Sequence, residues 1–224
     1  MKLTDIRGLK YPDDYFIKYF FKSGFHKTNG LKFIEFGSSN GNNLTLPYQY
    51  GHHVIGVDID QKAIDDANFN FSMIQNKQST FNFNLKDMRE YASHTTDLFA
   101  DVFMLPNIVN YIPREDFGAF LNIMLKNNNL KQNASIFVRC RTPKDFRFGL
   151  GTKKDYNAYQ LEDNQNSTGE AGCLNTFYTE HDLISTLQKH LNLKDFTLLQ
   201  CDFQNMQDNI IVSNSDLILW GTIH

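Results

Sequence analysis

The sequence has little cysteine and no excess of either charge. Its 224 residues include only three cysteines, Cys140, Cys173 and Cys201, which lie far apart and form no Cys-x-x-Cys pair. This spacing supports neither a disulfide framework nor a zinc site, so we expect free thiols, a cytoplasmic location and no bound metal. The 22 Lys and Arg residues against 25 Asp and Glu residues give a formal net charge of -3, which argues against general nucleic-acid binding.

Long apolar runs are also missing. No uncharged apolar stretch reaches the length of a membrane span, and the first residues lack the apolar core of a signal peptide. We therefore expect neither a membrane segment nor a secretory leader. The 41% hydrophobic content is enough to fill a core, and the length predicts a single domain over residues 1–224.

Short apolar runs alternate with helical patterns along the chain. Helices are predicted to begin near residues 12, 42, 60, 113 and 179. Buried-type strands are predicted at 32–36, 54–58, 80–85, 101–105, 135–140, 195–203 and 210–222. Strands separated by helices indicate parallel crossovers, whereas the short turn at 204–209 leaves no room for a helix and indicates an antiparallel final pair.

This order predicts an α/β fold: a Rossmann-like, doubly wound, seven-stranded, mostly parallel sheet with an antiparallel last strand. Residues 1–30 are predicted to form a helical cap over a pocket. Residues 141–178 are charged and rich in Gly and Asn, and they are too long for an ordinary connection. We expect this insertion to be either a binding lid or partly disordered.

The most informative segment lies at the end of the first predicted strand. It reads Glu35-Phe36-Gly37-Ser38-Ser39-Asn40-Gly41, and the acid Asp58 ends the second strand. Ligands of open α/β sheets bind beyond the carboxyl ends of the strands, where glycines allow close approach and a distal acid can bind ribose hydroxyls. The segment therefore predicts a site for a nucleoside-containing cofactor.

At these residues the sequence resembles the class I S-adenosylmethionine-dependent methyltransferases, whose first motif is acid-x-Gly-x-Gly-x-Gly. Glu35, Gly37 and Gly41 match the motif, and the element order agrees over roughly residues 30 to 224. Ser39 replaces the middle glycine, which is tolerable if its backbone keeps φ below zero.

The resemblance implies S-adenosylmethionine as the cofactor. It implies cofactor-binding positions at Glu35, Gly37, Ser39, Gly41, Asp58, Ile59, Asp87, Met88 and Leu105. Glu35 would lie near the methionine amino group and Asp58 would accept both ribose hydroxyls. Asp87 and Met88 would contact the adenine ring, and Leu105, at the end of the fourth strand, would lie next to the reactive methyl group.

Two other nucleotide sites fit poorly. A dinucleotide fingerprint needs glycine at the first, third and sixth positions, where this chain has Gly37, Ser39 and Asn42. A phosphate-binding loop would end in Gly-Lys-Ser/Thr, and that ending is missing.

The acceptor of a methyl group should lie over the ends of the fourth and fifth strands. This position nominates Asn107, Tyr111, Arg139 and Arg141 as catalytic or acceptor-binding residues. Arg139 and Arg141 share one face of a strand and could clamp a carboxylate or phosphate, or could instead pair with acids of the insertion such as Glu170.

The sequence thus predicts an S-adenosylmethionine-dependent methyltransferase acting on a small-molecule acceptor, for which an anionic group is one hypothesis. A protein acceptor stays open, and a nucleic-acid acceptor is disfavoured. The alternatives are a non-catalytic module that binds S-adenosylmethionine or S-adenosylhomocysteine and acts through a protein partner, and an NAD-dependent oxidoreductase.

Overall fold

The computed structural model describes residues 3–74, 76–162, 168–207 and 209–223. The strands are β1 (Lys32–Phe36), β2 (His53–Asp58), β3 (Phe81–Leu85), β4 (Ala100–Pro106), β5 (Leu130–Arg141), β6 (Thr152–Asp155), β7 (Ala158–Gln160), β8 (Leu174–Thr176), β9 (Lys194–Gln207) and β10 (Ile210–Thr222). The α-helices are α1 (Asp14–Lys22), α2 (Thr45–Gln49), α3 (Gln61–Ile74), α4 (Met88–His94), α5 (Arg114–Lys126) and α6 (Glu180–Leu191). Short 3-10 turns lie at Leu3–Asp5, Phe25–Lys27 and Val109–Tyr111.

Seven strands form the main sheet in the order β3-β2-β1-β4-β5-β10-β9. The first five are parallel, while β10 runs antiparallel to both β5 and β9. The predicted seven-stranded Rossmann-like sheet with an antiparallel last strand is therefore confirmed. Its strand order reverses between β1 and β4, which is where ligands bind in open α/β sheets.

Helices cover both faces of the sheet. Side chains of α1, α2 and α3 pack on one face in a core rich in aromatic rings, and α4, α5 and α6 pack on the other in an aliphatic core. Helix α1 shows how the sequence fixes this arrangement. Asp13 caps its first turn by accepting from the N–H groups of Tyr15 and Phe16 at 2.8 and 3.0 Å, and its apolar face is fully buried.

The insertion after β5 contains a second, three-stranded antiparallel sheet of β6, β7 and β8. The sequence analysis assigned no strands there because each has only three or four residues, too few for a recognisable alternation. Among the described residues, no helix is long and apolar enough to cross a membrane.

Three parts of the chain differ from the prediction: one helix was not predicted, and two strands are longer than expected. Helix α4 was not predicted, because its seven residues give too short a periodic pattern. Strand β5 begins at Leu130 rather than near residue 135, since Leu130 pairs with Ala100 of β4 ahead of a register shift. Strands β9 and β10 pair as far as Gln207 and Ile210, so the predicted turn at 204–209 is mostly strand.

Candidate functional site

Two adjoining cavities open at the carboxyl ends of the parallel strands. The first, of about 360 Å³, is called here the Glu35 cavity, and the second, of about 200 Å³, the Asp58 cavity. The Glu35 cavity is lined by Leu9, Tyr11, Pro12, Asp13, Glu35, Gly37, Ser39, Asn42, Asn43, Pro106 and Asn107. The Asp58 cavity is lined by Gly37, Val57, Asp58, Ile59, Lys86, Asp87, Met88, Arg89, Ile108, Tyr111 and Ile112. Gly37 belongs to both, so the two cavities together form one elongated site.

Glycines make the turn after β1 possible. Gly37 and Gly41 have φ of +70° and +75°, a conformation that L side chains rarely adopt. A Cβ on Gly37 would lie 2.9 Å from the side chain of Ile108, and one on Gly41 would lie 2.8 Å from the ring of Phe83. Both glycines are therefore required by conformation and by space.

Ser39 does not keep φ below zero. Its φ is +47°, so the serine occupies the left-handed conformation that the family motif gives to glycine. Its backbone N–H donates to Oδ2 of Asp58 at 2.8 Å. This charge-assisted hydrogen bond offsets the backbone strain, which is about 1–2 kcal/mol for a non-glycine residue.

The second oxygen of Asp58 accepts from the N–H of Asp60 at 3.0 Å. Asp60 in turn accepts from the N–H of Lys62 at 2.8 Å, as expected for the residue that starts α3. Each carboxylate oxygen has a second lone pair, so Asp58 keeps capacity for further donors on the cavity side.

Glu35 ends in the larger cavity but is almost wholly buried, with 1% of its surface exposed. Its Oε1 accepts from the side-chain nitrogen of Asn43 at 2.6 Å, whereas Oε2 has no hydrogen-bond partner within the described residues. Burial raises the pKa of Glu35 to about 8, and the hydrogen bond from Asn43 opposes this rise. At neutral pH such a carboxyl group is largely protonated, and a cationic donor would stabilise its ionised form.

The adenine-side candidates occupy the smaller cavity. Asp87 caps α4 by accepting from the N–H of Arg89 at 2.8 Å, and the Arg89 guanidinium contacts both of its oxygens. These hydrogen bonds lower the pKa of Asp87. Met88 is buried in the core yet lines the cavity, and Ile59 lines it while 75% exposed, an unusual exposure for an isoleucine.

Leu105 is placed differently from its neighbours. Its side chain is fully buried in the aliphatic core, whereas Pro106 and Asn107 line the Glu35 cavity. Asn107 has φ of +59°, and its backbone N–H donates to the carbonyl of Arg139 at 2.8 Å, which turns the chain away from β4 at the cavity wall. Tyr111 lines the smaller cavity, and burial raises the pKa of its hydroxyl.

Residues 7–13, called here the strap, cross the mouth of the Glu35 cavity before α1 begins. Asn40 donates to the carbonyls of Arg7 and Leu9 at 2.6 and 2.9 Å, and Asn42 donates to that of Tyr11 at 2.9 Å. Asn70 of α3 exchanges two further hydrogen bonds with the backbone of Arg7. The strap, rather than the helix that follows it, is the part of residues 1–30 that lines the cavity.

Sequence reasoning missed the strap and its partners. The carboxamides of Asn40, Asn42 and Asn43 resemble ordinary solvated loop residues in a chain rich in asparagine, and their backbone partners lie some thirty residues away. The one available signal was that these polar residues follow directly on the glycine-rich turn.

The two arginines of β5 are each paired with acids. Arg139 contacts Asp13 and also donates to Asp216 through Nε and Nη2 at 3.0 and 2.6 Å. Arg141 forms two 2.6 Å hydrogen bonds with Glu170 of the insertion, and its Nη2 lies 3.2 Å from the hydroxyl of Tyr111. The sequence left two roles open for these arginines, which were to clamp an anionic ligand or to pair with acids of the insertion. Arg141 pairs with Glu170, as the second role requires.

The fold of the chain resembles solved structures, whereas its sequence matches none of the families or curated proteins compared with it. No protein-family model matches it, and no curated protein matches it in sequence. It resembles a SAM-dependent methyltransferase from Methanosarcina mazei with a TM-score of 0.61 and 13% identity, over 88% of this chain and 94% of that one. It also resembles a SAM-dependent methyltransferase from Archaeoglobus fulgidus, with a TM-score of 0.58 and 14% identity, over 94% of this chain and 100% of that one.

A third neighbour was solved with a ligand. The N-methyltransferase NodS from Bradyrhizobium japonicum, in complex with S-adenosyl-L-homocysteine, gives a TM-score of 0.58 at 11% identity, over 92% of this chain and 84% of that one. These similarities extend over 88 to 94% of the chain. The chain therefore has the fold of the class I S-adenosylmethionine-dependent methyltransferases.

Proposed function

We propose that this protein is an S-adenosylmethionine-dependent methyltransferase that acts on a small-molecule acceptor. The observation that carries the proposal is the unpartnered, buried Oε2 of Glu35 at one end of the elongated site. A buried acceptor is normally hydrogen-bonded, so this oxygen indicates a ligand with a donor group. The ammonium group of a methionine moiety is such a donor.

The rest of the site fits the other parts of that cofactor. Asp58 would hold the ribose hydroxyls, and the apolar side chains of Ile59 and Met88 would pack on the adenine ring in the smaller cavity. Gly37, where the cavities meet, leaves the narrow passage between the two regions open. Asp87 is already occupied by Arg89, so its role toward the adenine amino group would be shared with that guanidinium.

When bound, S-adenosylmethionine supplies a methyl group on a sulfonium, which is already activated for transfer. The work left to the chain is to position the acceptor and exclude water. Pro106 and Asn107 form the wall on the acceptor side, and the strap closes the mouth with Tyr11 and Asp13. The ordinary pKa of tyrosine already keeps Tyr111 protonated at neutral pH, and burial raises that pKa further, so its hydroxyl is a hydrogen-bond donor rather than a base.

The charges favour an acceptor that is uncharged or cationic. In the described part of the chain, the Glu35 cavity is lined by two carboxylic acids, Asp13 and Glu35, and by no Lys, Arg or His. Arg139 and Arg141, which were candidates for clamping an anion, already contact carboxylates. An anionic acceptor would have to displace these ion pairs, at a cost that small carboxylates do not repay.

Calorimetric titration with S-adenosylmethionine, S-adenosylhomocysteine and NAD tests the cofactor class. We expect micromolar binding of the two adenosyl sulfur compounds and none of NAD. Binding of NAD alone, or of nothing, would contradict the proposal. A methyl-transfer assay with amine, hydroxyl and carboxylate acceptors then tests the reaction, and tight cofactor binding without turnover of any acceptor would favour the non-catalytic module acting through a protein partner.

A further inference from the structure

The carboxamide of Asn43 lies between the cofactor-side acid and the strap. Its nitrogen donates to Oε1 of Glu35 at 2.6 Å, and its oxygen accepts from the backbone N–H of Asp13 at 2.8 Å. Because the N–H of Asp13 can only donate, the oxygen of Asn43 must face it and the NH₂ group must face Glu35. Asn43 is buried, so this orientation is held by the protein rather than by solvent.

Few other side chains could serve both partners. Aspartate would place a second carboxylate against Glu35, and an apolar residue would leave both partners unsatisfied in a buried place. A carboxamide offers a donor and an acceptor on the two branches of one planar group. The contact fixes one oxygen of Glu35, while the other, Oε2, has no hydrogen-bond partner within the described residues although Glu35 lines the cavity.

The charge state of Glu35 depends on this contact. Desolvation is the main cause that raises its pKa, the fields of Asp13 at the start of α1 and Asp58 at the end of β2 add to the rise, and the resulting pKa is about 8. The hydrogen bond from Asn43 is the one contact that acts in the opposite direction, since it stabilises the ionised carboxylate. Arg139 of β5 lies behind Asp13 and pairs with that acid.

We propose that Asn43 is a positioning residue for the cofactor-binding carboxylate, and that the same carboxamide fastens the strap to it. The inference rests on the proposed function for the identity of the cation that Glu35 receives. Its consequence is a pH-dependent site: an ammonium group pairs with ionised Glu35, so binding expels a proton below the pKa of Glu35 and is proton-neutral above it.

The first test uses the protein without ligand. The side-chain carboxyl carbon of Glu35 is followed by NMR during a pH titration, and its signal is assigned by its loss in Glu35→Gln. We expect a midpoint near 8 in the unmodified protein. In Asn43→Leu, which keeps the branched arrangement of side-chain heavy atoms and removes the donor, the midpoint should rise by about one to two pH units, because a hydrogen bond to a charged group is lost.

The matched control is Asn70→Leu. Asn70 is an equally buried carboxamide that ties the same strap through Arg7 but does not touch Glu35. It should lower thermal stability and leave the Glu35 midpoint unchanged. If Asn43→Leu does not fold, the measurement is made on the unmodified protein instead. The chemical shift of the Asn43 side-chain ¹⁵N is followed with pH, and it should change with the same midpoint as the Glu35 carboxyl signal. A midpoint in Asn43→Leu that is unchanged or lower, or a ¹⁵N signal insensitive to the titration, would overturn the proposal.

The second test is calorimetry with S-adenosylhomocysteine at pH 6 to 9. In the unmodified protein, affinity should rise about tenfold per pH unit up to about pH 8 and then level off. Asn43→Leu should shift this profile to higher pH and weaken binding at pH 7 by about 10- to 100-fold. If the unmodified protein does not bind S-adenosylhomocysteine at any pH, the proposed function is contradicted, and the NMR titration alone tests the role of Asn43. If Asn43→Leu binds with the same pH profile as the unmodified protein, only the role of Asn43 is overturned.

Discussion

The backbone N–H of Ser39 donates to the carboxylate of Asp58 over 2.8 Å, which joins the turn after β1 to the end of β2. Asp58 therefore supports the glycine-rich turn from the neighbouring strand in addition to facing the smaller cavity. A serine in the left-handed conformation is held in place by the same acid that we propose binds the ribose hydroxyls.

Replacing this acid should weaken cofactor binding. We expect Asp58→Ala to lower the affinity for S-adenosylhomocysteine by about 10- to 100-fold, because hydrogen bonds to a charged group are lost both to the ligand and to Ser39. Calorimetry measures the effect. Asp60→Ala is the control, since Asp60 caps α3 without lining either cavity and should change stability alone. Equal losses of affinity in both variants would contradict the role of Asp58.

Glu35 should destabilise the ligand-free protein at neutral and alkaline pH. Its pKa is about 8 in the folded state against an ordinary value of 4.5, so the unfolded chain loses this proton first as the pH rises. The stability associated with the protonated acid is complete below pH 4.5 and is lost progressively up to about pH 8. The loss amounts to roughly 3–5 kcal/mol at the upper end.

Glu35→Gln removes this dependence. Denaturant unfolding should show the variant to be more stable than the unmodified protein at pH 8 and about equal to it at pH 4.5, while binding of S-adenosylhomocysteine is lost. A stability difference that does not change with pH would contradict the raised pKa of Glu35.

Arg139 should be important chiefly for the fold. Its guanidinium is 15% exposed and joins two acids that are still more buried, Asp13 at 12% and Asp216 at 9%. Arg139→Ala would leave both carboxylates without a cation, and we expect a loss of about 3–5 kcal/mol in the free energy of unfolding. The exposed pair of Arg89 with Asp87 is the comparison: Arg89→Ala should cost about 1 kcal/mol or less. Similar losses in both variants, measured by urea unfolding, would show that Arg139 is not a structural bridge.

The passage between the cavities should be sensitive to one added methyl group. Gly37→Ala places a Cβ 2.9 Å from Ile108 at a φ of +70°, so we expect a loss of about 2–3 kcal/mol and weaker S-adenosylhomocysteine binding. Gly149→Ala isolates the backbone effect, because Gly149 has φ of +83° and an added Cβ meets no described atom within 4 Å. It should lose about 1 kcal/mol and leave binding intact. Identical behaviour of the two variants would contradict the crowding at Gly37.

The fold was predictable from sequence where the signal is local. A helix was predicted to begin near residue 12, and α1 begins at Asp14 after its cap residue Asp13. Thr179 predicted the start of α6, where it forms a capping box with Asp182. Strand-to-helix alternation then implied the parallel sheet. Helix α4 and the strands of the insertion were missed because they are too short to show a period.

The site was predictable only in part. Glu35 lies near the end of β1, Gly37 follows that strand and Asp58 ends β2, and these three residues line the two cavities. Gly41 shapes the turn but lines neither cavity. The partners of the arginines were harder to foresee. Arg139 pairs with Asp13, 126 residues before it, and with Asp216, 77 residues after it. These partners are set by tertiary packing and cannot be read from sequence spacing.

The manner in which the strap is attached leaves the side chains of Leu9 and Tyr11 free to vary. Asn40, Asn42 and Asn70 bind backbone atoms of Arg7, Leu9 and Tyr11, so these contacts do not depend on which side chains the strap carries. Leu9 and Tyr11 stay 59% and 66% exposed at the cavity mouth. Exchanging these two residues would therefore change the shape of the cavity mouth, and with it the ligands that can enter, while the scaffold stays as it is.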